Sequence, residues 1–168
     1  MNIVLFRHGQ KGLIPFEDPH LTEDGFKQSE AIALMVLNGK LPKPSKLWAS
    51  EKIRTSQTFQ ALSKKFEILA NIKPELNLRS DLETQKAFRE RAESLINYLS
   101  NLASTTASEN ESIYLCSHYD WIEEAMLLIP SDTDLTSSQF SHWGPAQFIH
   151  FNAKNNIWHF IKKGLANK

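Results

Sequence analysis

Apolar residues in this chain come in short unbroken runs, and between the runs they recur every three or four positions. That rhythm is expected of buried strands alternating with amphipathic helices. The first run, Ile3-Val4-Leu5-Phe6, predicts a strand over Asn2–Phe6, followed by a loop Gln10–Leu21 rich in turn formers. Thr22 has the chemistry of a helix cap, and Glu23 and Asp24 suit the positive end of the helix it would open. Ile32, Met35 and Val36 keep helical spacing until Asn38-Gly39 stops them. Pro42 and Pro44 then lead into a short strand, Lys46–Ala49, and Ser50 reads as the cap of a helix carrying Ile53, Phe59 and Leu62. Lys65–Ala70 suggests a third strand, and residues 71–84 read as an exposed connection.

The second half repeats the alternation. Phe88, Ala92, Leu95 and Leu99 form one stripe of a long helix over Gln85–Leu102. A Ser/Thr-rich loop, Ala103–Glu111, precedes a buried strand Ser112–Cys116, and Trp121–Leu128 is helical in pattern. Ala146–Phe151 and Trp158–Lys162, joined around Asn155-Asn156, predict a β-hairpin. Strands alternating with helices imply a three-layer α/β/α domain with a mostly parallel central sheet. At 168 residues the chain is expected to form a single domain spanning 1–168.

Charge and composition narrow the function classes. Nineteen basic residues balance nineteen acidic ones, which argues against broad binding to nucleic acid or to an anionic membrane surface. No apolar stretch approaches a membrane span, and Met1 opens directly onto the first strand, so a cytoplasmic protein is expected. The single cysteine, Cys116, has no internal disulfide partner and reads as a small buried hydrophobe.

Four segments carry chemistry. Arg7-His8-Gly9 closes the first strand, the end of an open α/β sheet at which ligands bind. A neutral histidine can attack phosphorus and form a covalent intermediate, while Gly9 allows a sharp turn and a close approach of backbone to substrate. A structural histidine beside a surface arginine would look the same in isolation. Leu21-Thr22-Glu23-Asp24-Gly25-Phe26-Lys27-Gln28 needs to be no more than a helix start, although Thr22 would reach a phosphate if that helix end faces the pocket. In Ser50-Glu51-Lys52-Ile53-Arg54-Thr55-Ser56-Gln57-Thr58 a strand-to-helix junction carries Arg54 one turn in, a natural place for an anion or simply a cap with an exposed arginine. Tyr114-Leu115-Cys116-Ser117-His118 ends a buried strand on a polar pair, and His118 suits either a hydrogen bond to a phosphoryl oxygen or a satisfied core position.

Taken together, Arg7-His8-Gly9, Leu21-Thr22-x-x-Gly25-x-x-Gln28, Ser50-x-x-x-Arg54-x-x-Gln57-Thr58 and Ser117-His118 resemble the histidine phosphatase superfamily, with its phosphoglycerate-mutase-like fold. The compact length resembles the small phosphohistidine phosphatases of bacteria. The resemblance implies that His8 accepts the phosphoryl group. It also implies that Arg7, Arg54 and His118, with Gly9 and Thr22, form a phosphate pocket needing no metal or cofactor. For the acid that protonates the leaving group it offers Glu83 ahead of Asp120. The substrate would be a phosphorylated small molecule or a phosphoprotein: an open site suits a protein-borne phosphoryl group, whereas Lys11, His20 and Lys52 at the rim suit a small anionic substrate. Trp121 and Trp143 read as core, or as an aromatic wall. A mutase and a non-catalytic phosphate-binding module are the alternatives, the short chain counting against the first. Oligomeric state is not legible here.

Overall fold

The computed structural model describes residues 1–105 and 110–166. Six strands form one sheet in the order β3-β2-β4-β1-β5-β6: β1 (Asn2–Arg7), β2 (Lys46–Ala49), β3 (Ala70–Ile72), β4 (Ser112–Ser117), β5 (Gln147–Lys154) and β6 (Ile157–Leu165). β1, β2, β3 and β4 run parallel, and the β5–β6 hairpin adds antiparallel to the free side of β1. Asn155 and Asn156 both take positive φ at the hairpin turn, a conformation asparagine tolerates better than most residues.

The predicted three-layer architecture is present. Because successive side chains in a strand point to opposite faces, the sheet feeds two cores. Ile3, Leu5, Ile113, Leu115, Ile149 and Phe151 pack with α4 (Gln85–Ala103) and α5 (Tyr119–Leu128). Val4, Phe6, Tyr114, Cys116 and Phe148 pack with α1 (Glu23–Leu37) and the helical segments after β2. The stripe Phe88, Ala92, Leu95 and Leu99 is buried throughout. Trp121 and Trp143 belong to the first core, so packing is their role. Among the described residues no helix is long and apolar enough to cross a membrane.

Several local expectations need correction. The single helix read after Ser50 is two, α2 (Ile53–Thr58) and α3 (Gln60–Phe66), divided at Phe59, which is fully buried. Ser50 is not the cap. The capping position falls on Lys52, whose side chain makes no capping bond, and the Ile53 amide donates instead to the Asp18 carboxylate at 3.1 and 3.2 Å. The third strand lies at Ala70–Ile72 rather than Lys65–Ala70, because α3 runs on to Phe66 and Glu67 closes it in the left-handed region. Residues 71–84 are not wholly exposed: a 3-10 turn at Pro74–Leu76 buries Leu76. Part of the Ser/Thr-rich loop, 106–109, lies outside the described residues.

Gly25, in the first turn of α1, lets the Gly9–Gln10 turn lie directly on that helix. A Cβ there would stand 2.2 Å from the Gln10 carbonyl oxygen and 2.9 Å from the Leu21 Cβ. Gly25→Ala is therefore expected to cost about 2 kcal/mol, lowering the thermal midpoint by roughly 4–8 °C. An unchanged midpoint in a thermal melt would refute this packing argument.

Candidate functional site

The ends of β1, β4 and β2 lie side by side, and the chain leaves each of them with a polar residue. Arg7 is in register with Ser117, and Ala49 with Cys116, so His8, His118 and Ser50 emerge together at one edge of the sheet. The backbone fixes them there. The His8 amide donates to the Ser117 carbonyl at 3.1 Å, its carbonyl accepts from the Ala146 amide at 3.1 Å, and the Ser50 amide donates to the Cys116 carbonyl at 3.3 Å.

His8 and His118 meet edge to face with ring centroids 5.3 Å apart, both buried. The His8 Nδ1 lies 2.8 Å from the Gly9 carbonyl oxygen. A carbonyl only accepts, so Nδ1 carries the proton and the Nε2 lone pair is left unprotonated. His118 has the opposite constraint. Its Nδ1 lies 3.2 Å from the Arg54 Nη2, which can only donate, so the ring proton sits on Nε2 and points to the Ser50 hydroxyl at 2.8 Å. Burial, opposed by the Gly9 hydrogen bond and assisted by the charges of Arg54, Arg7 and Lys11, pushes the His8 pKa down to about 3. Burial first, then Arg54, lowers His118 to about 2. Both rings are neutral at pH 7.

The arginines come from different elements. Arg54, on α2, is buried between His118 and the Asp18 carboxylate, 3.5 Å from its Nη1. Arg7 donates to the Trp143 carbonyl and lies across the Tyr119 ring, 5.4 Å from its centre. Each guanidinium keeps a buried Nε–H without a partner, donor capacity a phosphoryl group can use. The remaining motif residues brace the turn. The Gly9 amide donates to the Thr58 hydroxyl at 2.9 Å, and that hydroxyl donates to the Arg54 carbonyl. Gln28 accepts from the Gln10 amide, and Gln57 joins the Leu21 amide to His20. A Cβ on Gly9 would come within 3.1 Å of the Gly25 carbonyl oxygen.

The structure brings Arg7, His8, Arg54 and His118 together around that turn. Thr22 caps α1, accepting from the Gly25 amide and donating to the Gln10 side chain, so its hydroxyl is already engaged. Glu83 is engaged elsewhere. Its carboxylate is gripped by the Arg91 guanidinium at 2.7 and 2.9 Å, an interaction that lowers its pKa, whereas a general acid needs a raised one. Asp120 accepts from the Arg79 and Trp121 amides, both at 2.8 Å, and its charge reaches Arg54. Burial raises the Cys116 thiol, in keeping with an inert core residue. Among the described residues no group of three or more His, Cys, Asp or Glu side chains is arranged to hold a metal ion.

A family model described as the histidine phosphatase superfamily (branch 1) matches residues 3–80. That stretch of the chain, from β1 to the segment after β3, is similar to the histidine phosphatase superfamily. No curated protein matches it by sequence. Solved structures share its fold over nearly the whole length. The protein histidine phosphatase SixA complexed with tungstate is 16% identical with a TM-score of 0.74, covering 99% of this chain and 97% of that one. The putative phosphohistidine phosphatase SixA from Agrobacterium tumefaciens is 22% identical at a TM-score of 0.69, covering 99% and 98%. A putative alpha-ribazole-5'-P phosphatase from Escherichia coli K-12 is 15% identical at 0.75, covering all of both chains. These likenesses are of fold. They bear out the phosphoglycerate-mutase-like architecture and the resemblance to the compact SixA form.

Sequence reasoning missed four partners: Asp18 at the head of α2, Ser50 on His118, the Trp143 carbonyl on Arg7, and Tyr119 beneath Arg7. The contacts of Asp18 and the Trp143 carbonyl join segments far apart in the chain, and no local spacing announces them.

The neutral histidines give the protein an acid-sensitive stability. His8 and His118, with His150 lowered by burial to about 4, bind protons more weakly folded than unfolded. Depressed folded-state affinities mean stability is intact above the unfolded value of about 6.5 and falls as pH drops below it, by up to roughly 1.4 kcal/mol per pH unit for each proton taken up. Urea unfolding between pH 7 and pH 4 should show this decline, and a flat profile would contradict the neutral assignment.

Proposed function

We propose that this protein is a phosphatase that passes the phosphoryl group of its substrate through His8. The observation that carries the reading is the fixed tautomer of His8. A ring proton committed to the Gly9 carbonyl leaves Nε2 as an unprotonated nucleophile beside two arginines. Nε2 attacks phosphorus in line, forming the P–N bond as the bond to the leaving group breaks. Arg7 and Arg54 take the charge that spreads over the phosphoryl oxygens, and the His118 ring proton, shared with Ser50, is the third donor. Water then attacks phospho-His8, releases inorganic phosphate and restores the free histidine. No metal takes part in this scheme. Thr22 acts as a brace rather than a ligand, as its engaged hydroxyl suggests.

The carboxylates favour one substrate class. Glu83 is held ionised by Arg91, and Asp120 accepts two amide hydrogen bonds, so neither stands ready to protonate an ester oxygen. A phosphoramidate such as phosphohistidine has less need of an acid, because solvent can protonate its leaving nitrogen first. We therefore assign P–N hydrolysis as the main reaction and phosphomonoester hydrolysis as the slower one. The structural likeness to SixA phosphohistidine phosphatases is consistent with that order.

With EDTA present, phosphate release from phosphoramidate is expected to outpace release from p-nitrophenyl phosphate. His8→Ala should lose both activities by at least ~10³-fold, and Arg54→Lys, which replaces a fork with a point charge, by about 10²-fold. Residual turnover in His8→Ala at the wild-type rate would end the covalent scheme. On phosphoramidate, Glu83→Gln and Asp120→Asn should each stay within about tenfold of wild type, below most of the usual 10²–10⁴-fold contribution of a general acid. A larger loss in either would restore the acid role to that residue.

A further inference from the structure

Leu13, Ile14 and Phe16 are 81%, 85% and 89% exposed, three large apolar side chains at the tip of the loop that flanks the site. The loop below them is built. Lys11 and Leu21 pair as a bridge, the Gly12 amide donates to the His20 carbonyl and the Thr22 amide to the Gln10 carbonyl. The descending limb is tied to the arginine helix: Lys52 Nζ donates to the Glu17 carbonyl at 2.9 Å, and Asp18 holds the Ile53 amide and Arg54. Phe16 is thus two residues from a group that touches Arg54, and the tip stands out on an anchored base.

We propose that Leu13-Ile14-Pro15-Phe16 is a docking element for a folded protein that carries the phosphoryl group, gripping its surface while the phosphorylated side chain enters the pocket. This rests on the phosphatase reading above. Two features select that occupant. Side chains so fully in solvent do not line the pocket, so a small phosphorylated molecule held by Arg7, Arg54 and His118 would leave them uncovered. A partner whose surface extends beyond the pocket covers them. The rim also carries matching charge: Lys11 and Lys52 lie close enough for their fields to reach His8 and His118, which fits an anionic group presented next to an apolar patch. Because the base is already ordered, docking needs little further loss of loop freedom.

The test is a triple variant, Leu13→Ser with Ile14→Ser and Phe16→Ser, whose exposed positions should leave folding intact. Two P–N substrates are compared: free phosphoramidate, and a histidine phosphotransfer domain phosphorylated on its histidine. The variant should hydrolyse phosphoramidate within about twofold of wild type yet lose at least about tenfold in kcat/KM on the phosphoprotein, chiefly through KM. In a His8→Ala background, which does not turn over, calorimetric binding of the phosphoprotein should weaken by a similar factor. Equal losses on both substrates would make the tip part of the pocket, and no loss on either would leave it without a docking role. A wild-type dimer that the variant dissolves in sedimentation would assign the tip to a second copy. Each of these outcomes overturns the proposal. Failure of wild type on both substrates, with no phospho-His8, would instead sink the phosphatase reading, and the His8→Ala binding comparison would still decide the docking.

Discussion

The hydrogen bond from the His8 amide to the Ser117 carbonyl is the last rung between two parallel strands, and the site is assembled around it. Parallel pairing means that β1, β2 and β4 all end at the same edge, so residues 8, 50 and 118 become neighbours without any loop having to search for them. The antiparallel hairpin completes the arrangement from the other side, since the Ala146 amide takes the His8 carbonyl. A histidine with both of its backbone groups tied into the sheet has little freedom, and a preorganised group loses little on reaching a transition state.

Electrostatics follow from that geometry. Two imidazoles and two guanidinium groups crowded below the surface cannot all be charged, and the arginines, with the higher intrinsic affinity for protons, keep theirs. The histidines are driven neutral, chiefly by burial, and their hydrogen-bond partners then choose the tautomers: a carbonyl for His8, an arginine for His118. Asp18 partly balances Arg54 from the loop side, and a phosphoryl anion entering the pocket would take over that balancing.

Much of this was legible in the chain. The apolar runs located β1, β2 and β4 to within a residue, and the polar residues closing them, Arg7-His8, Ser50 and Ser117-His118, marked the edge where they meet. The local patterns failed where a long-range contact decided the outcome. Ser50 had the look of a cap because serine usually caps, but its hydroxyl belongs to His118 and the helix it was to open is capped by Asp18, thirty-five residues earlier than Ile53. The 71–84 stretch looked exposed because it is polar, yet Leu76 is drawn under β4 by the Ser117 hydroxyl, which donates to the Leu76 carbonyl at 2.6 Å. The fate of Glu83 was hidden for a more local reason: no spacing rule foretells that Arg91, eight residues on and nearly two turns into α4, folds back to face it.

Arg91 explains why the carboxylates behave as they do. Its guanidinium donates to the Pro74, Glu75, Asn77 and Leu78 carbonyls as well as to Glu83, so a single cation organises the whole segment between β3 and α4. Removing the charge of Glu83 would loosen that segment, and the Asp120 carboxylate, which accepts from the Arg79 amide within it, would be released too. The two carboxylates are thus bound into one scaffold, Glu83 through Arg91 and Asp120 through the Arg79 amide. A proton donor for an alcohol leaving group would have to work against that scaffold, while a leaving nitrogen that arrives protonated makes no demand on it. The proposed preference for P–N over P–O cleavage is in this sense a property of how the loop beside α4 is held together.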